Sequence, residues 1–402
     1  MLIFKQYRLT NNIINILIFS VLILVFEGKI VMKEIEFKGK AMEYFGIWLA
    51  NILLTVVTIG IFSAWAKVRR LKYFFNNTKI LEDSFAYHAT GWQILKGRII
   101  ALVAILILGA GSAYIPGFSF ISFLIIFFLL PFIINSSLRF NARMISYRNI
   151  KFNWHGNYKQ TFLYFVLGPV ISFLSLGFLH PLFTKYYYTY FANNHSYGTS
   201  RFSAYTTVKK YYLDAIKSGF LPVLIIFYSI IIYTIWDIAS LMVWDVDYID
   251  SMWISSGSEI ERIISYNLNY NLGNYSNSFS NLLFILIPII FLTNFIYRIF
   301  ARNMLLRAMI LNNSNNKEIS ANFDSKLNPA TYLWITISNA IVVPITLGLM
   351  SPWAQIRFYK YLSHSTKIEI IGDLNIFLDT EKKNLSSLGE EYSEMEGIEV
   401  NI

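Results

Sequence analysis

The chain has 402 residues, 55 % of them hydrophobic and 14 % charged, with 34 Lys and Arg against 24 Asp and Glu for a formal charge of +10. Ordinary soluble domains carry about 25 % charged residues, so this composition and a mean hydropathy of +0.47 exclude a single water-soluble core. The absence of cysteine excludes disulfides, thiolate metal sites and cysteine nucleophiles.

In chain order, Ile13–Phe26 is an apolar run behind Lys5 and Arg8, with no small-residue cleavage site after it. It reads either as an extra span or as an extension ahead of a start at Met32, so residues 1–31 are set apart. From Phe37 to Tyr87 an uncharged hydrophobic helix runs into a basic, aromatic one, centred on Asn51, Thr55, Thr58, Gly60, Trp65, Lys67, Arg69, Arg70, Lys72 and Tyr73. The pattern returns 288 residues later as Asn339, Thr346, Gly348, Trp353, Arg357, Lys360, Tyr361 and Thr366. A weaker copy lies 117 residues after the first: Gly177, Tyr190, Asn193, Asn194 and Phe202. The motif units are about 35–90, 150–205 and 323–372.

Two span pairs separate the units, about Ile99–Ala113 with Phe118–Ile134, and Phe220–Ile238 with Leu282–Ile299. Their ends match at an offset of 159, Asn135, Arg139 and Arg143 against Asn294, Arg298 and Arg302. A polar loop rich in Asp joins the second pair. Beyond residue 374 the chain is acidic and poor in apolar clusters, the composition of a disordered tail over 375–402.

Basic blocks at Lys67–Arg98, Arg139–Lys159, Lys185–Lys217 and Arg298–Lys326 mark the cytoplasmic side, which also places the C-terminus there. Each motif segment (Tyr44–Trp65, Thr161–Phe183, Tyr332–Trp353) then has cations at both ends. Either it is a re-entrant hairpin broken at Thr58–Gly60, Gly168–Pro169 or Pro344, or it crosses once. Its length favours a single crossing. The fold expected is an all-α polytopic membrane protein with internal repeats and four to eight membrane segments. Short strand-like hairpins at the cytoplasmic surface (35–39, 85–87, 150–154, 368–370) alternate polar and apolar residues.

The Phe37-x-Gly39 opening, the Asn51-x-x-Leu54-Thr55-x-x-Thr58-x-Gly60-Ile61 helix, Trp65-Ala66-Lys67-Val68-Arg69, Tyr73 and Asn77-Thr78 resemble the YjgN-like family of bacterial inner-membrane proteins. The resemblance covers 32–374 and implies a multi-pass inner-membrane protein without an established activity. The second copy departs from it, with Leu182 and Tyr186 where the pattern has Trp and Arg.

Trp65, Arg69 and Tyr73 are spaced i, i+4, i+8 on one helical face, as are Trp353, Arg357 and Tyr361. They suit a membrane-interface anchor, or a site for an anionic lipid headgroup or solute. Arg143 and Arg302 end helices in the same way. No His pair, His–carboxylate neighbour or phosphate-binding glycine loop is present, and Asp245-x-Asp247-x-x-Asp250 lacks the Gly and terminal Glu of a calcium loop, so an enzyme, a metal site and a cofactor are not expected. The partner expected is the lipid bilayer, with anionic headgroups at the cytoplasmic face, and no nucleic acid. The function expected is a transporter or channel for a small or anionic solute; the alternative is a structural or lipid-organising membrane protein without transport or catalysis.

Overall fold

The computed structural model describes residues 31–251, 257–312, 320–371 and 378–384. The run Ile13–Phe26 lies outside them, as does 385–402. Two compact units divide the chain. The first takes residues up to Gly168, Tyr186–Thr206 and everything from Asn303; the second takes Pro169–Lys185 and Thr207–Arg302.

The first unit holds a sheet of eleven antiparallel strands. They are β1 (Val31–Glu34), β2 (Glu36–Phe37), β3 (Thr78–Ile80), β4 (Asp83–Tyr87), β5 (Ile145–Tyr147), β6 (Ile150–Trp154), β7 (His195–Tyr197), β8 (Ser200–Ala204), β9 (Met309–Asn312), β10 (Ser320–Ser325) and β11 (Thr366–Ile371). Neighbours follow chain order from β2 to β11, and β1 then pairs with β11. The two ends of that order, β1 and β2, are halves of one stretch either side of Ile35. Val31 pairs Ile370 while Phe37 pairs Thr78, so the N-terminal strand brings the sheet almost full circle. The all-α expectation is therefore wrong. The strand-like pieces read from sequence are parts of one continuous, barrel-like sheet, which removes the edges that short strands cannot protect alone.

The barrel interior is packed. Ile80, Tyr147, Tyr197, Leu311 and Ile368, one from each odd-numbered strand from β3 to β11, are buried together. Phe85, Phe152, Phe202 and Phe323 pack against them from the strands between, and Ile35 from the link between β1 and β2. Phe85 lies 5.2 Å from Tyr147 and Phe152 lies 5.0 Å from Tyr197, ring centre to ring centre. Tyr147 Oη donates to Ile80 O at 2.9 Å, and Tyr197 Oη to Tyr147 O at the same distance. Burial raises the pKa of both phenols, which keeps them protonated donors.

A helical hairpin is inserted between successive strand pairs. In chain order the helices are α1 (Ala41–Val57), α2 (Ser63–Asn76), α3 (Gly91–Tyr114) and α4 (Phe118–Arg143). Next comes α5, which runs as Tyr158–Thr161, a π-helical Phe162–Leu167 and Gly168–Leu174, and then α6 (His180–Asn193). They are followed by α7 (Val208–Lys217), α8 (Phe220–Ser251), α9 (Gly257–Ala308), α10 (Pro329–Ile345) and α11 (Ser351–His364). α8 and α9 continue through most of the stretch expected to be a polar loop. Residues 378–384, inside the stretch read as an acidic tail, form a further helix, α12.

Helix bases meet the barrel through one recurring backbone bond. Lys38 N–H donates to Asn77 O at 2.9 Å, His88 to Met144 at 2.8 Å, His155 to Asn194 at 2.8 Å and Lys326 to Ser365 at 2.9 Å. Each ties the residue entering a hairpin to the residue leaving it. Among the described residues, three helices are long and apolar enough to cross a membrane: α3, α4 and the Phe284–Ala308 end of α9. α7 and α8 bend by 69° at Ser218–Gly219 and pass the same test together. Faces such as Ile100, 71 % exposed, and Phe120, 65 % exposed, form an apolar surface far larger than a monomer in water carries, and lipid is the solvent that suits them.

Candidate functional site

Each motif segment contains the same sharp turn between two helices. Its two central residues have left-handed backbone: Ile59 and Gly60 (φ 49° and 88°), Leu176 and Gly177 (55° and 86°), Leu347 and Gly348 (51° and 87°). Glycine takes the second place because φ near 90° is closed to side chains. The first place holds a bulky apolar residue at a strain of about 1–2 kcal/mol.

The turn supplies partners for its own backbone. After α1, Thr58 N donates to Leu54 O, Ile59 N to Val56 O, Gly60 N to Thr55 O (2.7 Å), Ile61 N to Thr58 O and Ser63 N to Gly60 O. The donor left over, Phe62 N, is taken by Thr58 Oγ1 at 2.9 Å. Thr346 Oγ1 accepts from Met350 N at 3.2 Å and Ser175 Oγ from Leu179 N at 3.1 Å, with the same backbone bonds around them. The hydroxyl at this place therefore serves the turn. The breaks fall at Thr58–Gly60, Ser175–Gly177 and Thr346–Gly348; Gly168–Pro169 and Pro344 are inside helical segments.

What the turns present is apolar. Val57 is 78 % exposed, Ile59 94 % and Leu347 93 %, with Leu176 and Ile345 also exposed. A turn with its N–H groups satisfied and its side chains apolar meets the condition lipid imposes on backbone.

The helices return to where they began, so these segments are hairpins and the single-crossing expectation is overturned. Tyr73 Oη accepts from Lys40 N at 2.8 Å and donates to Lys40 O at 3.0 Å. Tyr361 does the same to Asn328, at 2.9 and 3.0 Å, and Tyr190 Oη donates to Asn157 O at 3.1 Å. The recurring tyrosine is thus a clamp across the hairpin base. Asn77 and Asn194 close the second helix by donating Nδ2 to the clamp residue's carbonyl at 2.8 Å.

The other singled-out residues stay within their neighbourhoods. Trp65 packs on Gly91, where a Cβ would collide with its ring, and lies 5.3 Å from Trp92. Arg69 sits 5.1 Å over Phe62, and Arg357 sits 5.1 Å over Trp353 while donating to Ser338 Oγ at 2.7 Å. Arg143 donates to Asn153 Oδ1 at 3.1 Å, and Arg302 lies on α9 in the second unit. Arg69 and Arg357 thus each engage residues of their own hairpin. Asn135 Oδ1, buried, accepts from Trp154 Nε1 (2.8 Å) and Thr161 Oγ1 (2.9 Å), which pins α4 and α5 to β6.

The family model described as "Bacterial protein of unknown function (DUF898)" matches residues 32–395. The inner membrane protein YjgN of Salmonella typhimurium is 25 % identical over 377 residues, covering 84 % of this chain and 88 % of that one. The inner membrane protein YjgN of Escherichia coli O157:H7 is 27 % identical over 150 residues, covering 37 % of this chain and 38 % of that one. No solved structure matches.

Proposed function

The chain belongs to the DUF898 family of bacterial proteins of unknown function, and from that membership we propose a multi-pass inner-membrane protein that organises lipid without conducting solute. The observation that carries this reading is the pairing of a packed barrel with short hairpins that end in self-satisfied apolar turns. α1 and α10 are 17 residues each, about 25 Å at 1.5 Å per residue. They start at the barrel and cannot cross a hydrocarbon core about 30 Å thick. Their tips enter one leaflet and wedge it. α3 and α4, of 24 and 26 residues, are long enough to cross completely.

The barrel stands on the cytoplasmic side, because cations gather at the hairpin bases while Tyr114–Gly117 between α3 and α4 carries none. The alternation of strand pair and helix pair is a repeat in which motif units and span pairs are one device with hairpins of different length. A transporter would use its cations to line a path. Here Arg69, Arg143 and Arg357 are each engaged by a ring or side chain of their own surroundings. The relatives named inner membrane protein support the location.

The test is reconstitution into liposomes loaded with chloride, phosphate or a small fluorescent anion. The expected result is no flux above empty liposomes, with binding or membrane deformation that increases with anionic lipid. Saturable flux that falls in Arg69→Ala or Arg357→Ala would replace this reading with the transport one.

A further inference from the structure

From Phe118 to Arg139, α4 rises about 32 Å at 1.5 Å per residue, which uses up a hydrocarbon core about 30 Å thick. Arg139 and Arg143, one turn apart, therefore stand at headgroup level where the helix meets the barrel. The barrel's outer face carries a polar row beside them. Asn153 of β6, Ser196 of β7 and Arg201 of β8 are partners in register across three strands. They alternate with the inward Phe152, Tyr197 and Phe202. Arg143 Nε donates to Asn153 Oδ1 at 3.1 Å, a bond that leaves both Nη groups to a ligand. His155 Nε2 and Ser196 Oγ are 2.9 Å apart.

Arg139, Arg143, Arg201 and His155 are exposed, and they converge. The His155 pKa is lowered first by partial burial of the ring, then by the charges of Arg201, Arg139 and Arg143, with His195 adding least. Among the described residues no ion pair takes any of the three arginines. Like charges so placed repel, and no carboxylate offsets them. The scaffold does not require them. At the preceding strand pair His88 Nε2 and Ser146 Oγ are 2.7 Å apart in the same arrangement, with Ala86 and Lys151 opposite Ser146. There Lys72, Asn76, Ala86 and Lys151 hold the places of Arg139, Arg143, Asn153 and Arg201.

We propose that Arg139, Arg143 and Arg201, with Asn153 and His155 beside them, form a binding site for a phosphate monoester, presented by a lipid whose headgroup ends in phosphate. The site rests on the lipid-organising reading and gives it a headgroup class. A monoester carries about −1.5 to −2 at neutral pH and three acceptor oxygens, whereas a diester carries a single charge. Guanidinium forks bond such oxygens in pairs, which lysines at the preceding place do not.

The test titrates full-length protein in neutral detergent with dioctanoyl phosphatidic acid, dioctanoyl phosphatidylglycerol and inorganic phosphate, followed by calorimetry. Phosphatidic acid is expected to bind at least tenfold tighter than phosphatidylglycerol. Arg139→Gln/Arg201→Gln, which leaves the Arg143–Asn153 bond in place, is expected to lose that margin. Lys72→Gln/Lys151→Gln, which removes as much charge, is expected to keep it. Bound monoester should also raise the His155 pKa, read by histidine NMR, because its charge offsets the three arginines. Inorganic phosphate is expected to change neither reading; if it displaces phosphatidic acid at equal affinity, the phosphate comes from solution and the lipid source is overturned. Equal binding of the two lipids, or equal loss in the two double variants, would overturn the site and leave the lipid-organising reading standing. Solute flux in the liposome test would replace that reading and leave the site in place.

Discussion

Thr58→Val is the sharpest perturbation of the hairpin turn. Valine keeps the volume and removes one oxygen. That oxygen accepts from Phe62 N at 2.9 Å and donates to Leu54 O at 2.7 Å. Loss of the second bond is minor, because Leu54 O also accepts Thr58 N at 3.1 Å. Loss of the first leaves an N–H without a partner beside Ile59 and Ile61. In a dry surrounding that costs about 1–3 kcal/mol, a factor of roughly 5 to 150 in the opening of the hairpin at 1.4 kcal/mol per tenfold. In water the cost is near zero, because solvent takes the donor. Thr58→Ser keeps the oxygen, as Ser175 does in the second hairpin, and stays within about 0.5 kcal/mol of wild type. The assay is hydrogen exchange of the Phe62 amide in nanodiscs beside denaturant unfolding in the same lipid. A Thr58→Val protein matching wild type in both would mean that the turn sits in water.

Removing the hydroxyl clamps is expected to loosen each hairpin base separately. Tyr73→Phe and Tyr361→Phe should each cost about 1–2 kcal/mol, additive in the double variant, read by chemical unfolding in detergent. Phe152→Ala in the barrel core should cost about 3–5 kcal/mol and leave liposome permeability unchanged; a rise in conductance would mark the barrel as a conduit. Acid should loosen the pairing of β1 with β11. Hydrogen bonding to Lys367 at 2.8 Å, then its charge, holds the Glu34 carboxylate below its ordinary pKa. Its contribution is complete above the unfolded value of about 4.3 and is lost as pH falls through the lower folded value. Lys367, raised by the same partner, loses its contribution only at the alkaline end, as pH rises through its raised value. Lys367→Gln should therefore flatten the acid limb of an unfolding–pH profile.

Much of the wall and of the hairpins was legible in the residues. The matches Tyr73/Tyr190/Tyr361 and Gly60/Gly177/Gly348 were visible as spacing, and they prove to be the clamp and the turn. The alternation in Phe85–Tyr87 and Ile150–Trp154 announced strands. Barrel closure was hidden because it rests on pairing between residues as distant as Val31 and Ile370, and strands of two to six residues carry too little periodicity to fix a register. Cations at both ends of Tyr44–Trp65 were the signal for a hairpin, but length argued for a crossing. The contact that decides, Tyr73 with Lys40, joins residues that no local pattern connects. Glu381 of α12 reads like any other carboxylate in an acidic stretch, because the donors that hold it, on Thr199 and Ser200, lie 182 and 181 residues earlier.

The central claim is that the turns at Ile59 and Leu347 lie in the lipid of one leaflet. The chain has no cysteine, so Ile59→Cys and Leu347→Cys each give a single label site without further changes. With an environment-sensitive fluorophore at either position, quenching by lipids brominated at successive acyl depths should place both at the same shallow depth. Membrane-impermeant thiol reagents should fail to reach either site from both sides. Rapid labelling from water, or quenching deepest at opposite leaflets for the two positions, would contradict the account.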